Sequence, residues 1–410
     1  MKRLIILLIL LFTPILVFAG DLEWGGYFEP QYMGLEIRDN FYNLMSNKLR
    51  VDLSRDMSDR VSFGANFDYI TYHGKTEWNI LDYLPANITD QVPEMLRPLY
   101  KFNFGDMVQN IGPMTIARPD RIFLDNAYIR LAFDKFDLTV GKQQLSMGSG
   151  YTWNPTDLFN TKDVLDPTYE QPGHNAVRLD IPLGDRYGIE SYLAPDEEWE
   201  NTAKMLKLKG RLGHFDFSVL GLHRYWSYTD YIQFNPGGIY NRTLIGGDFA
   251  GELFGLGLWG EGGYNFLEHK QGFKPEEVKD HWELVVGSDY TFQSGLYVMA
   301  EYYQNSMAHA KKEEYTLNNW MWMLSSEMKT ISRQQAFGLW QYPLTDLITI
   351  GSYTIFSISD RSAALAPMVL YSLYEDVELT IFGNIYTGTE GSAYAGNMGN
   401  GGLARLRVYF

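Results

Sequence analysis

The chain has 410 residues, 50 acidic against 34 basic, and a formal charge of −16. That balance argues against a nucleic-acid binder, which needs a positive surface to displace counterions from phosphate. Cysteine is absent, which excludes disulfides, thiol catalysis and covalent c-type haem attachment within the chain.

Met1-Lys2-Arg3 gives a positive start. Residues 4–18 are apolar apart from Thr13, and Val17 and Ala19 occupy the small-residue positions before a cleavage site. These are the three parts of a secretory signal peptide. An apolar stretch of about fifteen residues is short for a membrane-spanning helix. Residues 1–19 are therefore expected to be a removable leader, with an uncleaved anchor as the alternative, and residues 20–410 a single domain. Losing Lys2 and Arg3 takes the formal charge to −18. No later apolar run reaches the roughly 18 residues of a transmembrane helix. Mean hydropathy is −0.23, yet 15% of residues are aromatic and 39 are glycine. Membrane barrels and secreted soluble β-proteins share that profile.

The rest divides into alternating segments of about ten residues, joined by connections that are alternately short and long. Leu49, Val51 and Leu53 oppose Lys48, Arg50 and Asp52. Val61, Phe63, Ala65, Phe67 and Tyr69 oppose Ser62, Gly64, Asn66 and Asp68. Ile129, Leu131 and Phe133 alternate with Tyr128, Arg130 and Ala132, and Val377, Leu379, Ile381 and Ile385 with Glu378, Thr380 and Asn384. The second face in each set is too polar for lipid and suits a water-filled lumen. Short turns at 56–59, 134–137, 184–186, 212–214, 255, 293–295, 344–346 and 375–376 carry residues that tolerate tight backbone geometry. With a first strand near 22–37 and a last near 401–410 they predict roughly 18 strands, an even number that leaves both ends on one side. Sixteen is the alternative, because the first strand holds Gly25, Gly26, Pro30 and Gly34 and the region 334–345 is irregular. On strand five, Phe136, Leu138 and Val140 put Lys142 toward lipid by period; a bulge at Gly141 would switch the phase. Long connections fall near 74–120, 148–172, 226–242, 267–280, 308–333 and 388–400. The first, about 47 residues, is long enough to be functional or partly folded.

At the end of the chain Ala404, Leu406, Val408 and Phe410 share one face, and Arg405, Arg407 and Tyr409 the other. An alternating last strand ending in Phe resembles the C-terminal signal of outer-membrane β-barrels; the bland reading is the edge strand of a soluble sandwich. Gly141-Lys142-Gln143 leaving a strand, followed by Gly148 and Gly150, resembles the third external loop of porin-like and alginate-export-like barrels over residues 141–160, although Trp153-Asn154-Pro155 departs from the alginate-export pattern. The resemblance implies an all-β, transmembrane, antiparallel up-and-down barrel in the outer membrane of a Gram-negative bacterium. It also implies contact with outer-membrane lipid, with Phe410 read by the barrel-assembly machinery, and no cofactor. Porins imply a homotrimer and alginate-export barrels a monomer; a periplasmic partner is a further expectation.

In trimeric porins the loop after strand five narrows the lumen, and 148–172 takes that place here. Its Asp157, Asp163, Asp166 and Glu170, against Lys162, are expected to line a constriction, or else simply to solvate an outer loop. On the inferred lumen face Lys207, Lys209, Arg211 and Arg224 form one basic group, and Arg50, Arg405 and Arg407 another near barrel closure. Between them lies an acidic arc of Asp248, Glu252, Glu261, Glu283, Asp289 and Glu301. Opposed arcs orient dipolar solutes in an open pore, or form salt bridges across a narrow one. Trp320-Met321-Trp322-Met323-Leu324 in the loop 308–333 either meets a partner or outer-leaflet lipid, or folds back on the barrel mouth. The seven histidines show no metal-ligand spacing and no HExxH pattern. The leading expectation is a non-enzymatic channel for small hydrophilic solutes or ions, weakly cation-preferring. The alternatives are the sheath of a porin–cytochrome electron conduit and a polysaccharide exporter.

Overall fold

The computed structural model describes residues 22–38, 40–89, 109–110, 115–162, 170–229 and 237–410. The expected leader therefore lies outside the described residues. Eighteen long strands form one closed sheet. They are β1 (Glu23–Ile37), β2 (Asn40–Ser58), β3 (Val61–Gly74), β4 (Arg121–Ala132), β5 (Asp137–Gln143) and β6 (His174–Leu183); β7 (Tyr187–Ala194), β8 (Ala203–Leu212), β9 (Phe215–Tyr228), β10 (Gly238–Leu253), β11 (Leu256–Gln271) and β12 (His281–Thr291); then β13 (Tyr297–Asn305), β14 (Gln334–Pro343), β15 (Ile348–Ser357), β16 (Ser362–Tyr374), β17 (Val377–Thr387) and β18 (Asn400–Tyr409). Each pairs antiparallel with the next, and β18 returns to β1 through Tyr27↔Tyr409 to Glu36↔Asn400. The count is the 18 expected rather than 16. The glycine-rich first strand holds because both its edges are paired, with β2 and with β18.

The two ends of the barrel differ. At the end holding the first and last strand termini, the turns are tight. Leu253 pairs with Leu256 across Phe254-Gly255, both with positive φ (54° and 82°), the mirror-image turn whose twist matches the strands it joins. The other end carries the long connections. Residues 77–79, 109–110 and 115–117 make a small three-stranded sheet there. Helix α1 (Leu317–Leu324) starts in a capping box, in which Thr316 and Asn319 each satisfy the other's backbone N–H. Trp320, Met321 and Trp322 are buried in one cluster with Ile80, Leu84, Ile88, Tyr228, Tyr240 and Val278. The apolar run in loop 308–333 thus folds back on the mouth.

Leu206, Leu208, Val219, Ile245, Val286 and Ile381 are exposed on the outer surface. A soluble barrel would hide such a belt, whereas hydrocarbon accepts it. The inner wall is not uniformly polar. Val285, Met299, Phe337, Leu339, Tyr353, Ile355 and Met368 are buried together inside β12–β16.

The phase switch expected at Gly141 is not there. The β4–β5 and β5–β6 ladders run through Gly141 without a register shift, and Lys142 donates its amine to the Leu124 carbonyl at 2.8 Å. The irregularity lies on the neighbouring strand, where the β3–β4 register shifts between Asn66 and Phe67 and Asp125 is the extra residue. A bulge re-aims side chains, and here Asp125 and Asn126 are both buried.

Candidate lumen constriction

The connection from β5 to β6 turns into the barrel. Leu145 and Met147 pack against the inner residues Ala176, Tyr192, Met205, Leu220, Leu222 and Leu244. Two glycines let the backbone pass close to the wall. Gly148 has φ +83°, and a Cβ on it would run into the Glu261 carboxylate; a Cβ on Gly150 would run into the Trp153 carbonyl.

Two inward carboxylates hold the loop. Glu261 on β11 accepts the backbone N–H groups of Ser149 (2.9 Å), Gly150 (2.9 Å) and Thr156 (2.6 Å), the Thr156 hydroxyl (2.7 Å) and the Asn154 amide (3.4 Å). Glu301 on β13 accepts three successive N–H groups, of Tyr151 (2.7 Å), Thr152 (2.9 Å) and Trp153 (3.2 Å), and the Trp259 indole at 2.8 Å. Both are 2% exposed. A buried carboxylate without donors would be very costly, and so would the loop's buried N–H groups without acceptors. Each satisfies the other, and hydrogen bonds to an ionised acceptor are the strong kind. Trp153 stacks on Tyr303 with centroids 5.0 Å apart, joining the apolar inner face of β12–β16. The Lys162 ammonium donates to the Gly150 and Tyr151 carbonyls, each at 2.8 Å.

The returning arm reaches the opposite wall. Glu170 accepts from the Tyr27 hydroxyl (2.8 Å), Lys48 (2.8 Å) and Arg50 (3.1 Å), and lies 3.8 Å from Arg407. Arg50 also meets Asp52 at 2.9 Å and Asp125 at 3.3 Å. The described parts of this connection therefore touch both the β11–β13 wall and the β1–β2 wall.

The expected constriction residues separate. Glu170 sits against the wall of β1, β2 and β18 among Tyr27, Lys48, Arg50 and Arg407. Asp157 is 1% exposed and caps its own turn through the N–H groups of Phe159 (2.8 Å) and Asn160 (3.0 Å), so its carboxylate is committed to the loop backbone at the edge of a chamber rather than held out into a pore. Asp163 and Asp166 lie outside the described residues. The acidic arc also divides. Glu261, Glu283 and Glu301 are buried, Glu283 at 3% and held by Arg242 (3.3 Å), Lys329 (3.5 Å) and the Tyr303 hydroxyl (2.6 Å). Asp248 faces Lys207 at 3.6 Å, and Asp289 accepts from Tyr297 at 2.8 Å. Glu252 is exposed beside the 254–255 turn. Of the basic groups, Lys209 pairs with Glu190 at 2.6 Å, Arg211 with Asp216 at 2.6 Å on the rim, and Arg405 and Arg407 with Glu29 at 3.3 and 2.6 Å. Arg224 lies on the loop-rich side, its guanidinium donating to the Leu158 carbonyl. Phe410 continues the β1 ladder, exchanging both backbone hydrogen bonds with Gly26 at 3.1 Å.

Sequence reasoning missed Glu29, Arg178, Asp180 and Glu190, although β6 alternates visibly; it also missed Asp125, which only the bulge turns inward. Of these, Arg178 and Asp180 line the space the loop leaves open, and Glu190 pairs with the lining residue Lys209. On the tight-turn side a cavity of about 1050 Å³ is lined by Arg50, Arg130, Arg178, Lys207 and Lys209 with Asp137, Asp180 and Asp248. On the loop-rich side a chamber of about 260 Å³ lies between residues 157–161 and 325–329.

No family model and no curated protein matches the chain. Solved structures do. OccAB4 of Acinetobacter baumannii is 10% identical with a TM-score of 0.55, over 95% of this chain and 98% of that one. A BenF-like porin from Pseudomonas fluorescens Pf-5 is 9% identical with a TM-score of 0.55, over 95% and 98%. OccK11 of Pseudomonas aeruginosa is 8% identical with a TM-score of 0.51, over 95% of each chain. The fold of this chain is that of these barrels.

Proposed function

We propose that this barrel sits in the outer membrane of a Gram-negative bacterium and passes small hydrophilic solutes and ions by diffusion. The observation that carries the reading is the loop tied to Glu261 and Glu301, which narrows the lumen against a charged wall while leaving a polar cavity beside it. Such a path needs no cofactor or energy source; wall side chains replace part of a solute's hydration. The likeness to a BenF-like porin in fold supports the same general reading.

Ion preference follows from the charges that meet water. The total acidic content predicted weak cation preference, but Glu261, Glu283 and Glu301 are consumed in holding protein groups. The larger cavity is lined by seven basic and five acidic side chains, so our reading is a nearly balanced pore leaning toward anions. The sheath reading is disfavoured because the chain's own loop occupies the space a multihaem protein would need.

The test is single-channel recording of the folded, purified protein in a planar bilayer in KCl. Discrete stable openings are expected, with a reversal potential in a salt gradient slightly on the anion side. A folded protein that stays silent would overturn the channel reading.

A further inference from the structure

The smaller chamber contains a guanidinium with no salt-bridge partner among the described residues. Arg224 on β9 and Arg242 on β10 are directly opposed in the ladder, an arrangement of like charges that destabilises unless something compensates it. Arg242 is compensated: its Nη2 lies 3.3 Å from Glu283 and its Nε 2.8 Å from the Asn265 carbonyl oxygen. Arg224 is not. Its Nε donates to the Tyr225 carbonyl at 3.2 Å, its Nη1 to the Leu158 carbonyl, and its guanidinium lies 5.2 Å from the Phe159 ring centroid. No carboxylate of the described residues lies within salt-bridge distance of it.

The acids around the chamber are committed elsewhere. Glu283 is shared among Arg242, Lys329, His281 at 3.6 Å and Tyr303. Asp157 is turned to its own loop's N–H groups. Glu327 accepts from the Thr229 backbone at 3.2 Å. Arg224 and Arg242 both line the chamber, and Arg224 Nη2 and Arg242 Nη1 still lack an acceptor among the described residues. Two neighbouring guanidinium forks with free donors match an anion that offers several oxygens.

We propose that this chamber is a binding site for a small oxyanion group (phosphate, sulfate or carboxylate), held between Arg224 and Arg242. At about 260 Å³ it holds such a group with water or the body of a solute around it. The site stands on its own geometry and does not require that the barrel conduct.

The experiment is calorimetric titration of the full-length, detergent-solubilised protein with inorganic phosphate and with sulfate, at constant ionic strength made up with chloride. Saturable one-site binding is expected. Arg224→Gln and Arg242→Gln should each weaken it by roughly tenfold or more, the scale of one lost charge-assisted hydrogen bond. Arg224→Lys, which keeps the charge and loses the fork, should fall between. Arg60→Gln, on the exposed rim, should bind as the wild type does. Heat-modifiable migration on gels verifies that each variant is folded, and the lysine variant serves if the glutamine variant is not. Absence of saturable binding, or affinity unchanged in Arg224→Gln, overturns the site. Binding without channel currents would leave the site standing and remove the channel reading; currents without binding would do the reverse.

Discussion

The backbone N–H and the hydroxyl of Thr156 both donate to the same oxygen of Glu261, at 2.6 and 2.7 Å. One residue of the inward loop thereby closes a small ring on the barrel wall. With the three successive N–H groups on Glu301, it makes loop and wall a single mechanical unit.

Glu301→Ala orphans three loop N–H groups and the Trp259 indole. Each buried donor left unpaired costs about 1–3 kcal/mol, so a loss of at least roughly 3 kcal/mol is expected even if part of the loop finds water. The melting point of the barrel should fall and single-channel traces should become noisier. A variant with wild-type melting and quiet currents would show that Glu301 does not hold the loop.

Gly148→Ala should be far more damaging than Gly188→Ala. At Gly148 the backbone is left-handed and an added methyl collides with the Glu261 carboxylate, whereas at Gly188 the nearest atom is 3.6 Å away. A cost of at least about 1–3 kcal/mol is expected at the first position, and almost none from sterics at the second. Equal melting points for the two would contradict the docked loop.

Glu170→Gln removes the carboxylate shared by Lys48, Arg50 and Arg407. The lumen then gains net positive charge at the wall beside Lys48, Arg50 and Arg407, and the reversal potential should move further toward anions. Lys207→Gln with Lys209→Gln should move it the other way. Unchanged reversal potentials in both would place the selective charges elsewhere.

Trp320→Ala empties the centre of the cap at the loop-rich end, where Trp320 is fully buried. Large-to-small changes of this size cost about 3–5 kcal/mol. Because the cap is separate from the strand ladder, limited proteolysis should cut near 306–333 while the barrel keeps its folded gel mobility. Resistance equal to wild type would mean the cap is held by something other than this cluster.

The outer architecture was legible because alternation is strong wherever one face meets lipid and the other water. Leu206 and Leu208 against Lys207 and Lys209 is such a case. It fails inside β12–β16. Val285 and Met299 share their phase with Glu283 and Glu301, and Val286 on the opposite face is apolar too, so no pattern separates inside from outside. Part of that wall is covered by the loop, through Trp153 on Tyr303 and Tyr151 on Phe337. The inward direction of Glu261 and Glu301 could be read; their partners could not. Those partners are backbone N–H groups between 105 and 150 residues away, and a backbone donor leaves no trace in residue identity. Asp125 escaped for a similar reason, since a one-residue bulge changes the phase without changing composition.

Those separations also impose an order of events. Residues 149–156 precede by more than a hundred positions the two carboxylates that receive them. Until β11 and β13 have joined the growing sheet, the loop has nothing to dock on. Lumen filling must therefore come late in assembly, after most of the wall is built. A sheet arrested with β5 and β13 not yet both in place would carry an undocked loop, whichever end is laid down first, and its half-built wall would be wet.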